Sequence, residues 1–134
     1  MTLKIEHIGI AVNDIEKSNQ LFKTLLGSNP YKSEEVFVEG VIVSFFKTGD
    51  SKIELLQALN EKSPIARFIE KKGEGIHHIA FEVDDIIASM AEMEKLGFEL
   101  LSKEPKMGAD NKLICFLHPK TTNGILIELC QERK

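Results

Sequence analysis

The 134-residue sequence predicts an α+β fold built from two tandem βαβββ modules. Three observations carry that prediction. The chain matches itself at a fixed offset, each half opens on an alternating strand followed by a capped helix, and three more strand-like runs close each half.

His7 and His78 stand 71 residues apart (78 − 7), and the same offset aligns Ile5 with Ile76, Ile8 with Ile79 and Val12 with Val83. Asp14-Ile15 aligns with Asp85-Ile86, Ser18 with Ser89 and Leu25 with Leu96. So many matches in one register are a duplication, not a coincidence. Near the ends of the halves Ile53-Glu54-Leu55 answers Ile127-Glu128-Leu129 at an offset of 74 (128 − 54), so the second copy carries about three extra loop residues.

In the first copy, residues 5–12 alternate as a strand, with Ile8, Ile10 and Val12 on one face. Asn13-Asp14 caps a helix whose apolar residues are Ile15, Leu21, Phe22, Leu25 and Leu26, and Gly27 stops it. Strand-like runs come next at 33–38, 41–47 and 52–57, separated by Gly40 and by Thr48-Gly49-Asp50. Ser63 before Pro64 starts a linker helix over 63–72 that ends at Gly73. The second copy repeats the order as a strand at 76–83, a helix at 85–96 before Gly97, and strands at 98–102, 112–118 and 124–130. The modules span 5–60 and 76–131, with the linker helix over 63–73, and together make one domain.

Composition narrows the function. With 43% hydrophobic and 28% charged residues the chain is an ordinary globular protein, and a net charge of −4 without a basic stripe argues against nucleic acid as a partner. MTLKIEHIG lacks the pattern of a secretory signal and no apolar run reaches membrane-spanning length, so the expectation is a cytoplasmic protein with no membrane partner. Cys115 and Cys130 lie far apart in apolar runs and read as buried reduced thiols.

Strand parity singles out four polar side chains. His7 shares a face with Gly9 and Ala11, and His78 shares one with Ala80, both opposite the apolar face. Small neighbours leave space above each imidazole. Glu54 and Glu128 sit mid-strand in apolar runs, where an unpaired buried carboxylate is costly. Duplication relates the two sets by a pseudo-twofold, so His7, Glu54, His78 and Glu128 can converge on one divalent metal with two positions left for water or substrate. By parity His77 points to the other face and stays outside that set. His118, before a proline turn, is a candidate substrate contact.

These residues carry a resemblance. The paired HIGIAV and HHIAFEV strands with their IEL strands resemble the vicinal oxygen chelate superfamily, which includes glyoxalase I, extradiol dioxygenases and fosfomycin-resistance proteins. EHIGIAV, SKIELLQAL, KSPIARFIEKKGEGIHHIAFEVDDI, EPKMGA and FLHPKTTNGILIELCQ, in this order, are similar to the methylmalonyl-CoA epimerase family over essentially the whole chain. The resemblance implies the glyoxalase fold, with both modules in a curved mixed sheet around a metal held by His7, Glu54, His78 and Glu128. Co²⁺ is the first candidate, with Mn²⁺, Ni²⁺, Zn²⁺ or Fe²⁺ as alternatives. It implies interconversion of (2R)- and (2S)-methylmalonyl-CoA through an enolate, with Glu128 and then Glu54 as the proton-transfer residues. The family tolerates Gln at position 54, and a further acid used as a base in some members falls on Val43, where this chain has no carboxylate. Lys103, Lys106, Lys112 and Lys120, with His118, are candidates to receive the coenzyme A tail. The resemblance further implies a homodimer through the strands near 5–12 and 76–83. The alternatives are a glyoxalase I-type lactoylglutathione lyase and a metal-free antibiotic-binding module of the same fold. An extradiol dioxygenase fits less well, because it needs more chain and a two-histidine, one-carboxylate iron site.

Overall fold

The computed structural model describes residues 2–133. The chain divides into two compact units, one from His7 to His77 and the other taking in residues through Glu6 and from His78 onward. Each contains most of one copy of the duplicated module, the start of the first copy's opening strand falling in the second unit.

In the first copy β1 (Thr2–Ala11) leads into α1 (Ile15–Leu26), then β2 (Lys32–Val36), β3 (Val41–Thr48) and β4 (Ser51–Ala58). The strand order is β2-β3-β4-β1. β1 runs parallel to β4 from His7↔Lys52 to Ala11↔Leu56, while β2–β3 and β3–β4 are antiparallel. Parity sends Ile10 and Val12 toward the helix, where they pack with Ile15, Phe22, Leu26, Phe46 and Leu55. A linker helix, α2 (Pro64–Lys72), comes next with Ser63 as its N-cap and Pro64 in its first turn.

The second copy has β5 (Gly75–Val83), α3 (Ile86–Lys95), the two-residue β6 (Lys106–Met107), β7 (Lys112–Leu117) and β8 (Ile127–Glu132). Its order is β5-β8-β7-β6, with β5 parallel to β8 and the other pairs antiparallel. The first module's pattern thus recurs. Val83, Ile86, Met90, Met93, Cys115, Leu117 and Leu129 form the core under α3.

The helix starts repeat in detail. Asp14 and Asp85 cap α1 and α3, each accepting a backbone N–H of the first turn. A tertiary contact adds to each cap. Gln57 of β4 accepts from Ile15 N–H at 2.7 Å, and Gln131 of β8 accepts from Ile86 N–H at 2.8 Å. Both helix-end donors, on the buried residues Ile15 and Ile86, are satisfied from the strand beneath. α1 ends at Gly27 in the left-handed conformation (φ 76°).

Two of the expected strands need correction, and not every apolar residue of α1 is buried: Leu21 and Leu25 are 64% and 69% exposed. The buried stripe of α1 runs through Ile15, Phe22 and Leu26 at helical spacing, and Leu21 and Leu25 fall outside it. Residues 98–102 form no strand. The segment bonds along β7 through Leu101 N–H to Phe116 O and His118 N–H to Glu99 O, yet only the single bridge Leu100↔Leu117 results. The chain turns away at 102–105, ending in a proline that has no N–H for a ladder. The last strand begins at Ile127, because Asn123 and Gly124 both take positive φ in the turn before it.

Candidate active site

In the first module the strand ladder builds the site. Residues paired across neighbouring strands share a face. Lys32↔Phe45, Phe45↔Glu54 and Gly9↔Glu54 therefore set Lys32, Phe45, Glu54 and Gly9 in one row across four strands. His7 lies on that face of β1, two residues before Gly9. Its Nδ1 is 3.1 Å from Glu54 Oε2, and the residues are only 4% and 5% exposed. Lys32 Nζ lies 5.3 Å from the Phe45 ring centroid and 3.3 Å from Glu34 Oε1. Tyr31 packs on Phe45 with ring centroids 5.8 Å apart.

The second module repeats the arrangement. His78 Nε2 lies 3.4 Å from Glu128 Oε1, with 5% and 4% exposure. Phe116 pairs across the ladder with Glu128 and meets His78 edge-on at 6.0 Å, and Lys106 Nζ lies 5.8 Å from its centroid. Ala80, Ile114 and Cys130 supply an apolar floor. Burial, reinforced by the Glu128 charge, pushes the Cys115 thiol up to about 11 against a weaker opposing bond from the Leu129 backbone, so this cysteine is no nucleophile.

Each pair is therefore a buried imidazole beside a buried carboxylate, facing away from its helix. Ligand bonds of about 2.0–2.2 Å at right angles put neighbouring N and O donors about 3 Å apart. The observed separations fit that edge, and the donor chemistry suits a divalent transition metal. His77 lies outside the set, as parity requires. Its ring packs edge-on against Phe68 of α2 at 5.0 Å, and burial, helped by the Lys72 charge, lowers its pKa to about 4.

The expected coenzyme A contacts fall in different settings. Lys106 is exposed on β6, whereas Lys112 at the head of β7 is only 6% exposed. His118 caps a 3₁₀ turn, its Nδ1 accepting from Lys120 N–H. Lys120 pairs with Glu99 at 2.8 Å, and its hydrogen bond holds the Glu99 carboxyl below the usual range. Val43 is fully buried and pairs with Leu56 and Glu34. Sequence reasoning missed the lysine–phenylalanine pairs, although Phe45 and Phe116 stand 71 residues apart (116 − 45), the offset of the histidines. Lys32 and Lys106 stand 74 apart (106 − 32), the offset of the glutamates.

Two βαβββ modules, each presenting a buried His–Glu pair on its open face, define a vicinal oxygen chelate protein. The family model described as Glyoxalase/Bleomycin resistance protein/Dioxygenase superfamily matches residues 6–116, and the chain belongs to that superfamily, among its methylmalonyl-CoA epimerases. It is 42% identical to human mitochondrial methylmalonyl-CoA epimerase, over 96% of this chain and 73% of the human one. It is 43% identical to the ethylmalonyl-CoA/methylmalonyl-CoA epimerase of Cereibacter sphaeroides, over 96% and 97% of the two chains. A variant of Streptomyces coelicolor methylmalonyl-CoA epimerase, solved with 2-nitronate-propionyl-CoA, superposes with a TM-score of 0.92 at 33% identity, covering 98% of this chain and 96% of that one. Among the described residues, no helix is long and apolar enough to cross a membrane.

Proposed function

We propose that this chain is a divalent-metal-dependent epimerase that interconverts (2R)- and (2S)-methylmalonyl-CoA. The observation that carries the proposal is the duplicated buried His–Glu pair, His7 with Glu54 and His78 with Glu128, in a chain whose relatives are named for this reaction. In this reading all four side chains hold one metal ion, Co²⁺ first among the candidates. A divalent ion held there supplies positive charge that stabilises the enolate developing as C2 loses its proton.

The chain's own residues do the proton work. C2–H lies between a thioester and a carboxylate, so it is acidified but needs a base within hydrogen-bond reach. Inversion requires one group to take the proton from one face and another to return it on the opposite face. Glu128 is assigned to abstraction and Glu54 to the other face, because duplication relates the two carboxylates by symmetry. Burial beside an imidazole keeps each carboxylate oriented and water largely away from it. Val43, an apolar residue, has no part in proton transfer. Lys106, Lys112, Lys120 and His118 receive the anionic coenzyme A tail outside the metal site.

Assembly as a homodimer through β1 and β5 is part of the same proposal, as is a cytoplasmic setting, which suits the two buried free cysteines. The decisive experiment tracks C2–H by NMR in D₂O with methylmalonyl-CoA and Co²⁺, with and without a chelator. Exchange that the chelator abolishes is expected. No exchange with metal present overturns the epimerase reading, and full exchange under chelation overturns the metal's role.

A further inference from the structure

Two core positions break the duplication on the helix side of the sheet. The buried core of the second module has counterparts in the first at the offsets of 71 and 74. Val12, Ile15, Phe22, Phe46 and Leu55 match Val83, Ile86, Met93, Leu117 and Leu129, apolar for apolar. The remaining core residues under α3, Met90 and Cys115, fall on Asn19 and Ser44 (90 − 71 and 115 − 71). A polar pair therefore stands where the other copy has a thioether and a thiol.

Each member of the pair brings a buried oxygen. Asn19 Oδ1 and Ser44 Oγ have no hydrogen-bond partner among the described residues, and Ser44 is only 1% exposed. The two oxygens lie in the same layer. Asn19 comes one turn before Phe22 on the inward stripe of α1, and Ser44 comes two residues before Phe46 on the helix-facing side of β3. Phe22 and Phe46 meet with ring centroids 6.2 Å apart, which brings the polar positions beside them to the same part of the layer. Their counterparts Met90 and Cys115 belong to one cluster.

We propose that the first module binds one water molecule between α1 and its sheet, hydrogen-bonded to Asn19 Oδ1 and Ser44 Oγ. The donor set selects water. An amide oxygen only accepts, whereas a serine hydroxyl both donates and accepts, so the ligand must donate to Asn19 and can do either with Ser44. A cation also suits two oxygens, but Ile15, Phe22, Phe46 and Leu55 around them are apolar, and an unpaired charge there is costly. A neutral water that joins buried polar atoms is an integral part of a fold. The bridge matters most to α1, which buries only Ile15, while α3 buries Ile86, Ser89, Met90 and Met93. Its loss therefore falls on α1 and not on α3.

The test is amide hydrogen exchange read by NMR on the whole chain, with diamagnetic Zn²⁺ supplied. Ser44→Ala removes one partner of the water and strands Asn19 Oδ1, so α1 amides are expected to exchange about ten-fold faster while those of α3 are unchanged. In an Asn19→Leu background the other partner is already gone, and adding Ser44→Ala is expected to change α1 exchange by less than about two-fold. A cross-peak from long-lived water to Ser44 is expected in wild type and not in Ser44→Ala. Unchanged or slower α1 exchange in Ser44→Ala overturns the site, because deleting a hydroxyl that bonds nothing costs no stability. An equal effect in both backgrounds overturns it too, as does a wild type without the water cross-peak, a measurement that needs no variant to fold.

Discussion

Glu54 and Glu128 occupy equivalent positions, yet the proposed chemistry gives them unequal weight. Glu128→Gln keeps an oxygen donor but cannot accept the C2 proton, so deuterium exchange at C2 should fall by at least about 100-fold. Glu54→Gln should keep exchange within about ten-fold of wild type, since the amide oxygen still serves as a ligand; parallel NMR exchange rates decide both. His77 offers a test unrelated to catalysis. Its pKa falls from 6.5 to about 4 on folding, chiefly through burial. The unfolded chain therefore takes up a proton at this site before the folded one does. Stability from this group is complete above pH 6.5 and declines as the pH drops toward 4, by roughly 3 kcal/mol at most. Urea midpoints between pH 7 and 4 should show a shallower decline for His77→Phe than for wild type. The proposed ligands His7, Glu54, His78 and Glu128 are legible from parity and duplication alone. Lys32 is not, because a lysine on a short polar strand reads as solvated until the hairpin register sets it beside Phe45 and Glu54.

At the scale of elements, the helix starts depend on residues far away in sequence. Asp14 and Asp85 are visible as local caps, whereas Gln57 and Gln131 act from the last strand of each module. Truncating either glutamine leaves a helix donor without its strand partner. Gln57→Ala and Gln131→Ala should each lower stability by about 1 kcal/mol in denaturant melts, with little change in the exchange rate at C2. Strand composition misleads at 98–102 and 124–126, and the reason is physical. An apolar run can lie along β7, as Leu100 does against Leu117, without building a ladder when the chain turns away two residues later. Composition reports a preference for burial on a sheet, whereas pairing depends on the course of the neighbouring chain.

At the scale of the whole molecule, the proposed metal site takes ligands from both modules for one ion, and on that proposal the folded state gains whatever free energy the ion provides. Stripping the protein with a chelator should lower its melting temperature, and adding Co²⁺ back should restore it. A change on chelation confined to Glu128→Gln protein and absent from wild type would contradict a shared site.

The duplication, the α+β class, the βαβββ order, the helix caps and the four ligand candidates are all written in the amino-acid order. These rest on periodicities and spacings that local geometry enforces, two residues per strand repeat and a fixed register between copies. Register between distant strands settles which apolar helix residues are buried, where the irregular second hairpin pairs, and which lysine stands in line with Glu54. Those depend on the register between strands far apart in the chain, where a shift of one residue would turn Lys32 and Phe45 to the opposite face.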